Sequence, residues 1–264
     1  MATFTRERTE NGVTERLFDL TVAGERVPAV IWAPENAHGG RPLILMGHGG
    51  SQHKKINTLA ARARHYAQRL GYATLAIDAP GHGDRITREE AERLAREVGE
   101  RVRGLGASGP PAELLKTMAE RAKRAVPEWK AALDAAQSCD FVGNSGRIGY
   151  WGVSMGTAIG VPFVASEPRI KCAVFGLAGL RVGATALEQA AKSITIPIEF
   201  VFQWEDAVAP RESGLALFNA FASKEKTMHI NPGGHVEIPN FEGGSWQAFF
   251  TRHLGTTRAA QAAA

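Results

Sequence analysis

Three residues, in the chain order Ser154, Asp206 and His235, have the types and spacing needed for acyl transfer. Ser154 is the centre of Gly152-Val153-Ser154-Met155-Gly156. The pattern gains meaning where a buried strand runs into it and a helix leaves it, because that turn pushes the serine hydroxyl into the open. Here Ile148-Gly149-Tyr150-Trp151 leads in, and the flanking glycines permit a turn that bulky side chains would crowd. The helix N-terminus behind Ser154 favours the negative charge that develops on a reacting group. A serine hydroxyl is a poor nucleophile until a base takes its proton. His235, in Asn231-Pro232-Gly233-Gly234-His235, follows the last expected strand in a glycine-rich loop and is read as that base. Its rivals are placed less well, His229 inside the strand and His253 on the surface of the closing helix. The histidine needs a carboxylate to fix its tautomer and stabilise imidazolium. Phe200-Val201-Phe202-Gln203-Trp204-Glu205-Asp206 supplies two at a strand end, and the turn into Pro210 favours Asp206 over Glu205. Two N–H donors must face the oxyanion. One is expected from Met155 and the other from the loop after His48-Gly49, with Gly50 the first choice and Ser51 the second. His48 itself reads as a hydrogen-bonded structural residue.

These residues need a scaffold that brings distant loops to one edge. Thr14 to Val22 and Arg26 to Ala33, joined by a turn at Ala23-Gly24-Glu25, read as a β-hairpin. Short apolar runs then suggest parallel strands buried on both faces, at Leu43 to Met46, Tyr72 to Asp78, Arg147 to Val153, Ile170 to Leu177, Pro197 to Gln203 and Lys226 to Asn231. Helices are expected at Lys54 to Leu70, Ser154 to about Ser166, Pro210 to Ala222 and Ser245 to Leu254. The alternation predicts an α/β fold with a mainly parallel, doubly wound sheet, whose chemistry lies at the carboxyl ends of its strands. The connection from Asp78 to Arg147 exceeds what a crossover needs. Within it, Thr87 and Glu90 form a capping-box pattern, Gly104 to Pro111 breaks the helix, a second helix follows from Ala112, and Pro127 is read as opening a third. The segment at about 84–126 is expected to be a helical, lid-like insertion into a single domain spanning 1–264; a helical layer away from the site is the other reading.

The motifs, taken in order, resemble those of the α/β-hydrolase superfamily, and the likeness spans nearly the whole chain. His48-Gly49-Gly50 is similar to its oxyanion loop, and Asp78-Ala79-Pro80-Gly81-His82-Gly83-Asp84 to its D-x-P-G-H-G turn, where His82 and Asp84 are usually structural. The serine elbow, the D-x-x-x-P segment from Asp206 and the Gly-Gly-His at His235 complete the set. Length and insertion resemble the dienelactone-hydrolase-like and prolyl-oligopeptidase-like esterases. Dienelactone hydrolases proper use a cysteine nucleophile, so lactone specificity does not carry over to a chain with Ser154. Gln203 also stands where many relatives have glycine.

Composition bounds the remaining options. The chain has 264 residues, a formal charge of +4 and no basic stripe, so nucleic-acid binding is not expected. Arg88, Arg93 and Arg96 alternate with Glu89, Glu92 and Glu97 in the manner of a solvated helix face. No run of about 18 apolar residues suggests a membrane span, and the charged N-terminus lacks a signal peptide's apolar core, so a cytoplasmic location is expected. Cys139 and Cys172 have neither metal-type nor redox spacing, and Cys172 sits in an apolar run as a buried thiol. The expectation is therefore a cofactor-independent, metal-free serine esterase acting on a small-molecule ester, of undetermined oligomeric state. The alternatives are a peptidase or amidase, a cofactor-free perhydrolase with the same triad, and a non-catalytic ligand-binding protein.

Overall fold

The computed structural model describes residues 3–104 and 112–255. Among these residues nine strands form one sheet: β1 (Phe4–Glu10), β2 (Val13–Val22), β3 (Glu25–Pro34), β4 (Leu43–Gly47), β5 (Ala73–Ile77), β6 (Ile148–Gly152), β7 (Ile170–Gly176), β8 (Ile198–Gln203) and β9 (Lys226–Asn231). Their order across the sheet is β1-β2-β3-β5-β4-β6-β7-β8-β9. The first three pairings are antiparallel, and β5-β4-β6-β7-β8-β9 is parallel throughout. Burial on both faces explains the apolar runs: every residue of β4, β5 and β6 is buried.

Among the described residues seven α-helices accompany the sheet: α1 (Asn57–Leu70), α2 (Arg88–Gly104), α3 (Ala112–Gln137), α4 (Met155–Ala165), α5 (Thr185–Ser193), α6 (Arg211–Ala220) and α7 (Glu242–Leu254). One core lies under α3 and α4, with Trp129, Leu133, Tyr150, Phe163 and Phe175 at its centre. The other lies under α1 and α7, around Tyr66, Tyr72, Trp151, Trp246 and Phe250. Among the described residues no helix is long and apolar enough to cross a membrane. Both cysteines are buried and free.

The α/β class and the hairpin β2–β3 appear as expected, and the capping box at Thr87 forms. Thr87 N–H donates to Glu90 Oε2 at 2.8 Å and Glu90 N–H to Thr87 Oγ1 at 3.2 Å. The helix break read between 105 and 111 lies outside the described residues. Pro127 requires a correction. It does not open a helix but lies inside α3, which runs on through it. Proline removes one intrahelical bond, yet the buried face formed by Ala125, Trp129, Ala132, Leu133 and Ala136 holds both sides of it against the sheet. One helix thus provides the crossover and extends from it, rather than two meeting at residue 126.

Beneath that extension the turn after β5 is built on buried charge. Asp78 Oδ1 accepts the Lys54 N–H at 2.8 Å, while Oδ2 accepts Lys54 Nζ at 2.7 Å and the Asp84 N–H at 2.9 Å. A Cβ at Gly83, where φ is +58°, would run into this carboxylate. Arg85 reaches from the same turn to Glu128 of α3 with two bonds of 2.8 and 2.9 Å. Removing one partner of a buried pair leaves an uncompensated charge. Lys54→Met should therefore destabilise the protein by about 3 kcal/mol in urea denaturation; a loss of only a few tenths would mean that the Asp78 carboxylate is satisfied by backbone alone.

Candidate active site

All the loops that the sequence marked for chemistry leave the carboxyl ends of parallel strands. Ser154 follows β6, with φ 57° and ψ −118°. An L-residue rarely adopts such a conformation, and it persists only where the surroundings impose it. They do so through close packing. A Cβ on Gly156 would lie 2.6 Å from the Gly47 carbonyl oxygen, and one on Gly152 2.9 Å from the Gly156 carbonyl carbon. Glycine is needed at both flanks of Ser154 because the α4 backbone presses against β4 there. Ser154 N–H donates to Gly176 O at 2.9 Å, tying the turn to β7.

The predicted acid and base converge on this turn. Ser154 Oγ lies 2.8 Å from His235 Nε2, and His235 Nδ1 lies 2.8 Å from Asp206 Oδ2. With the ring proton on Nδ1, donated to the carboxylate, Nε2 accepts the serine hydroxyl. The Asp206 side chain is fully buried. Its other oxygen accepts the N–H groups of Val208 and Ala209 at 2.8 and 2.9 Å, so the turn toward Pro210 aims it as the sequence suggested. Glu205 points elsewhere and accepts the Gly233 N–H. His229 lies on β9 facing Glu242, and His253 faces Glu225 near the end of α7; neither is on the Ser154 side chain.

Of the expected oxyanion donors, Met155 directly follows Ser154, and Gly50 lies in the loop after β4, the strand that pairs with β6. Met155 is the first residue of α4, so its N–H has no carbonyl of the same helix to bond. In the loop after β4, the Gly49 N–H is engaged by Gln52 Oε1 at 3.0 Å, which points to the next residues, Gly50 and Ser51. A Cβ on Gly50 would meet nothing within 4 Å, so this position is open. His48 is structural as read. Its Nε2 accepts the Ala79 N–H at 3.0 Å and its Nδ1 faces Gly49 O at 2.8 Å. This bridges the loop after β4 to the turn after β5, where the His82 ring packs 5.4 Å away.

Several positioning residues escaped sequence reading. Thr157 Oγ1 is 2.8 Å from Gly152 O and 2.6 Å from Gly176 O, and it accepts the Gly176 N–H at 2.8 Å. Tyr150 donates its hydroxyl to Gly156 O at 2.7 Å. Gln203, the departure from glycine, is fully buried, and its Nε2 donates to Pro232 O at 3.2 Å and Glu237 O at 2.9 Å. It anchors both sides of the loop that carries His235. Their signal was polarity inside apolar segments, which pointed to hydrogen bonding without naming the partner.

A cleft of about 330 Å³ opens between the Pro80-Gly81 turn and α3, with Lys116, Arg121 and Arg124 on its wall. Arg121 Nη1 lies 3.8 Å from Met155 Sδ, so the extension of α3 reaches the residue after Ser154. Of the apolar residues flanking the site in sequence, Trp204 and Val236 are exposed, whereas Ile238 packs on the core.

No family model and no curated protein matches the chain. The chain is similar over its fold to a cold-adapted esterase from an Arctic intertidal metagenomic library, solved in complex with PEG. The identity is 33% with a TM-score of 0.77, covering 96% of this chain and 100% of that one. An acetyl xylan esterase from Paenibacillus sp. R4 shares the fold at 17% identity and a TM-score of 0.73, over 96% of this chain and 88% of its own. The Pyrococcus horikoshii acylaminoacyl peptidase shares it at 14% and 0.66, over 94% of this chain and 43% of its own.

Two outcomes follow from the site's physics. Glycine relieves the conformation that Ser154 is forced into, so Ser154→Gly should be about 1 kcal/mol more stable than Ser154→Ala in thermal denaturation. Equal stabilities would mean that the turn is unstrained. Burial pushes His48 down to about 4, and burial with the neighbouring His48 does the same to His82. The unfolded chain, with histidines near 6.5, then binds protons that the folded chain refuses, so stability falls as pH drops from about 6.5 to about 4. Melting temperatures should decline more shallowly over that window in His82→Gln; an unchanged slope would remove His82 from the account.

Proposed function

The chain belongs to the α/β-hydrolase superfamily, and we propose that it is a carboxylic-ester hydrolase working through an acyl-enzyme on Ser154. The observation that carries this reading is the unbroken relay from Ser154 Oγ through the His235 ring to the buried Asp206 carboxylate, with 2.8 Å at each step. In this reading His235 Nε2 takes the Ser154 proton as Oγ attacks the ester carbonyl carbon. The carbonyl oxygen becomes an oxyanion, held by the N–H groups of Met155 and of Gly50. Asp206 keeps the proton on His235 Nδ1 and stabilises the imidazolium. His235 next protonates the departing alcohol, leaving an acyl group on Ser154. A water activated by the same nitrogen then attacks that acyl carbon, and collapse returns the proton to Ser154 Oγ. The step consumes one water and releases an alcohol and a carboxylic acid, with His235 carrying each transferred proton.

Ester rather than amide cleavage is favoured by the likeness to the cold-adapted esterase, at 33% identity over 96% of this chain. The peptidase reading is weaker, because the acylaminoacyl peptidase likeness is one of fold. The extension of α3 beside Met155 supports reading 84–126 as a wall of the acyl or alcohol site within a single domain. A small-molecule ester is the substrate class proposed.

Ser154→Ala should lower kcat by about a million-fold on a short-chain fluorogenic ester. Asp206→Asn should cost on the order of ten-thousand-fold, while Glu205→Gln stays within about threefold of the parent. Full activity in Asp206→Asn would transfer the acid role elsewhere, and kcat/KM higher on a matched anilide than on its ester would replace the esterase by an amidase.

A further inference from the structure

On the sheet face away from the elbow helix, two strands and a helix present metal-type donors to one point. Glu199 of β8, His229 of β9 and Glu242, the first residue of α7, each offer a ligand atom, and these atoms lie within 4.8 Å of one another. His229 Nδ1 is 2.9 Å from Glu242 Oε2 and 3.9 Å from Glu199 Oε1. Register explains the grouping: Val201 pairs with His229 across β8 and β9, so Glu199 and His229 share the face that α7 covers.

The arrangement is incompletely satisfied as a set of hydrogen bonds. Glu199 is 6% exposed, yet its Oε1, buried and turned toward His229, has no hydrogen-bond donor among the described residues. A buried ionised carboxylate without a partner is costly. Burial raises the Glu199 carboxyl above the ordinary range, and nearby Glu242 adds to the rise; His229 and Arg252 pull the other way.

We propose that Glu199, His229 and Glu242 form a binding site for a divalent transition-metal cation of zinc type. Imidazole nitrogen with carboxylate oxygens is a donor set that zinc accepts, and bonds of about 2.0–2.2 Å put tetrahedral donors about 3.3 Å apart. The observed 2.9 and 3.9 Å bracket that separation and all three atoms lie within 4.8 Å of one another, so small shifts of these side chains close the set. Two carboxylates and a neutral imidazole balance a charge of +2. Asn231 Nδ2 donates to Glu242 Oε1 at 2.8 Å, the kind of outer contact that fixes a ligating carboxylate. His229 is one-third exposed and gives the ion its route from solvent, with water as fourth ligand.

The site joins the two sides of a functional loop. His229 precedes and Glu242 follows the segment that carries His235, and Glu199 belongs to the strand leading to Asp206. An ion here would staple the supports of base and acid without touching Ser154, so its effect falls on stability rather than on the reaction.

The test is zinc titration of chelator-treated, tag-free full-length protein, by calorimetry and thermal denaturation. One zinc per chain should bind, and at a hundredfold excess over its Kd should raise Tm by roughly 5 °C. Glu199→Gln and His229→Gln should each weaken binding at least tenfold and remove the Tm shift, whereas His235→Ala should keep both. Two variants guard against one failing to fold, checked by circular dichroism. Absence of binding to the parent protein at millimolar zinc would overturn the site, as would equal binding by both ligand variants, or loss of binding in His235→Ala alone.

Discussion

The backbone of Ser154, held at φ 57°, is the constraint on which the rest of the site depends. What imposes the conformation is a close approach: a methyl group on Gly156 of α4 would collide with the Gly47 carbonyl of β4, and one on Gly47 with the Tyr150 hydroxyl. Tyr150 and Thr157, both buried, bond to carbonyls around the turn and resist its opening. Conformational cost at one residue is thus met by packing and hydrogen bonds several residues away, as expected where a side chain must be presented rather than stored.

The Asp206 carboxylate and the His235 ring are held by a second arrangement. Asp206 is fixed by N–H groups of its own turn and His235 by a loop whose carbonyls Gln203 grips from below. Glu205, the carboxylate not chosen as acid, bonds to Gly233 and so braces the same loop. Neighbouring residues with similar chemistry therefore divide the work: one orients the ring, and one orients the segment that carries it. The metal-type cluster of Glu199, His229 and Glu242 lies on the far side of these supports.

The parallel strands, the elbow and the order of the three site residues were legible because each carries a local signature, either an apolar run or a turn requiring glycine. Strand β1 was not, since its exposed charges at Arg6, Glu7, Arg8 and Glu10 belong to an edge that shows no buried stripe. Helix α5 was missed for the same reason, as Ala191 is its one fully buried residue. Pro127 misled because local preference favours a helix start there, while burial of Trp129 and its neighbours is a tertiary effect that a single sequence does not display. In the site, residue types were legible and partners were not. Gln203 looked like a departure from a family pattern, yet its amide turned out to hold the loop on both sides. Arg121 offered no signal of its nearness to Met155, because that contact depends on where the extension of α3 comes to rest.

A fluorophosphonate probe tests the central claim most directly, because it reacts only with a serine whose proton is being withdrawn. Mass spectrometry of the folded, probe-treated protein should find a single adduct on the peptide bearing Ser154, lost on prior unfolding in urea and in His235→Ala. An unlabelled Ser154 in folded protein, or equal labelling of folded and unfolded chains, would contradict the account. The relay of Ser154, His235 and Asp206 would then be a hydrogen-bonded feature of a binding protein.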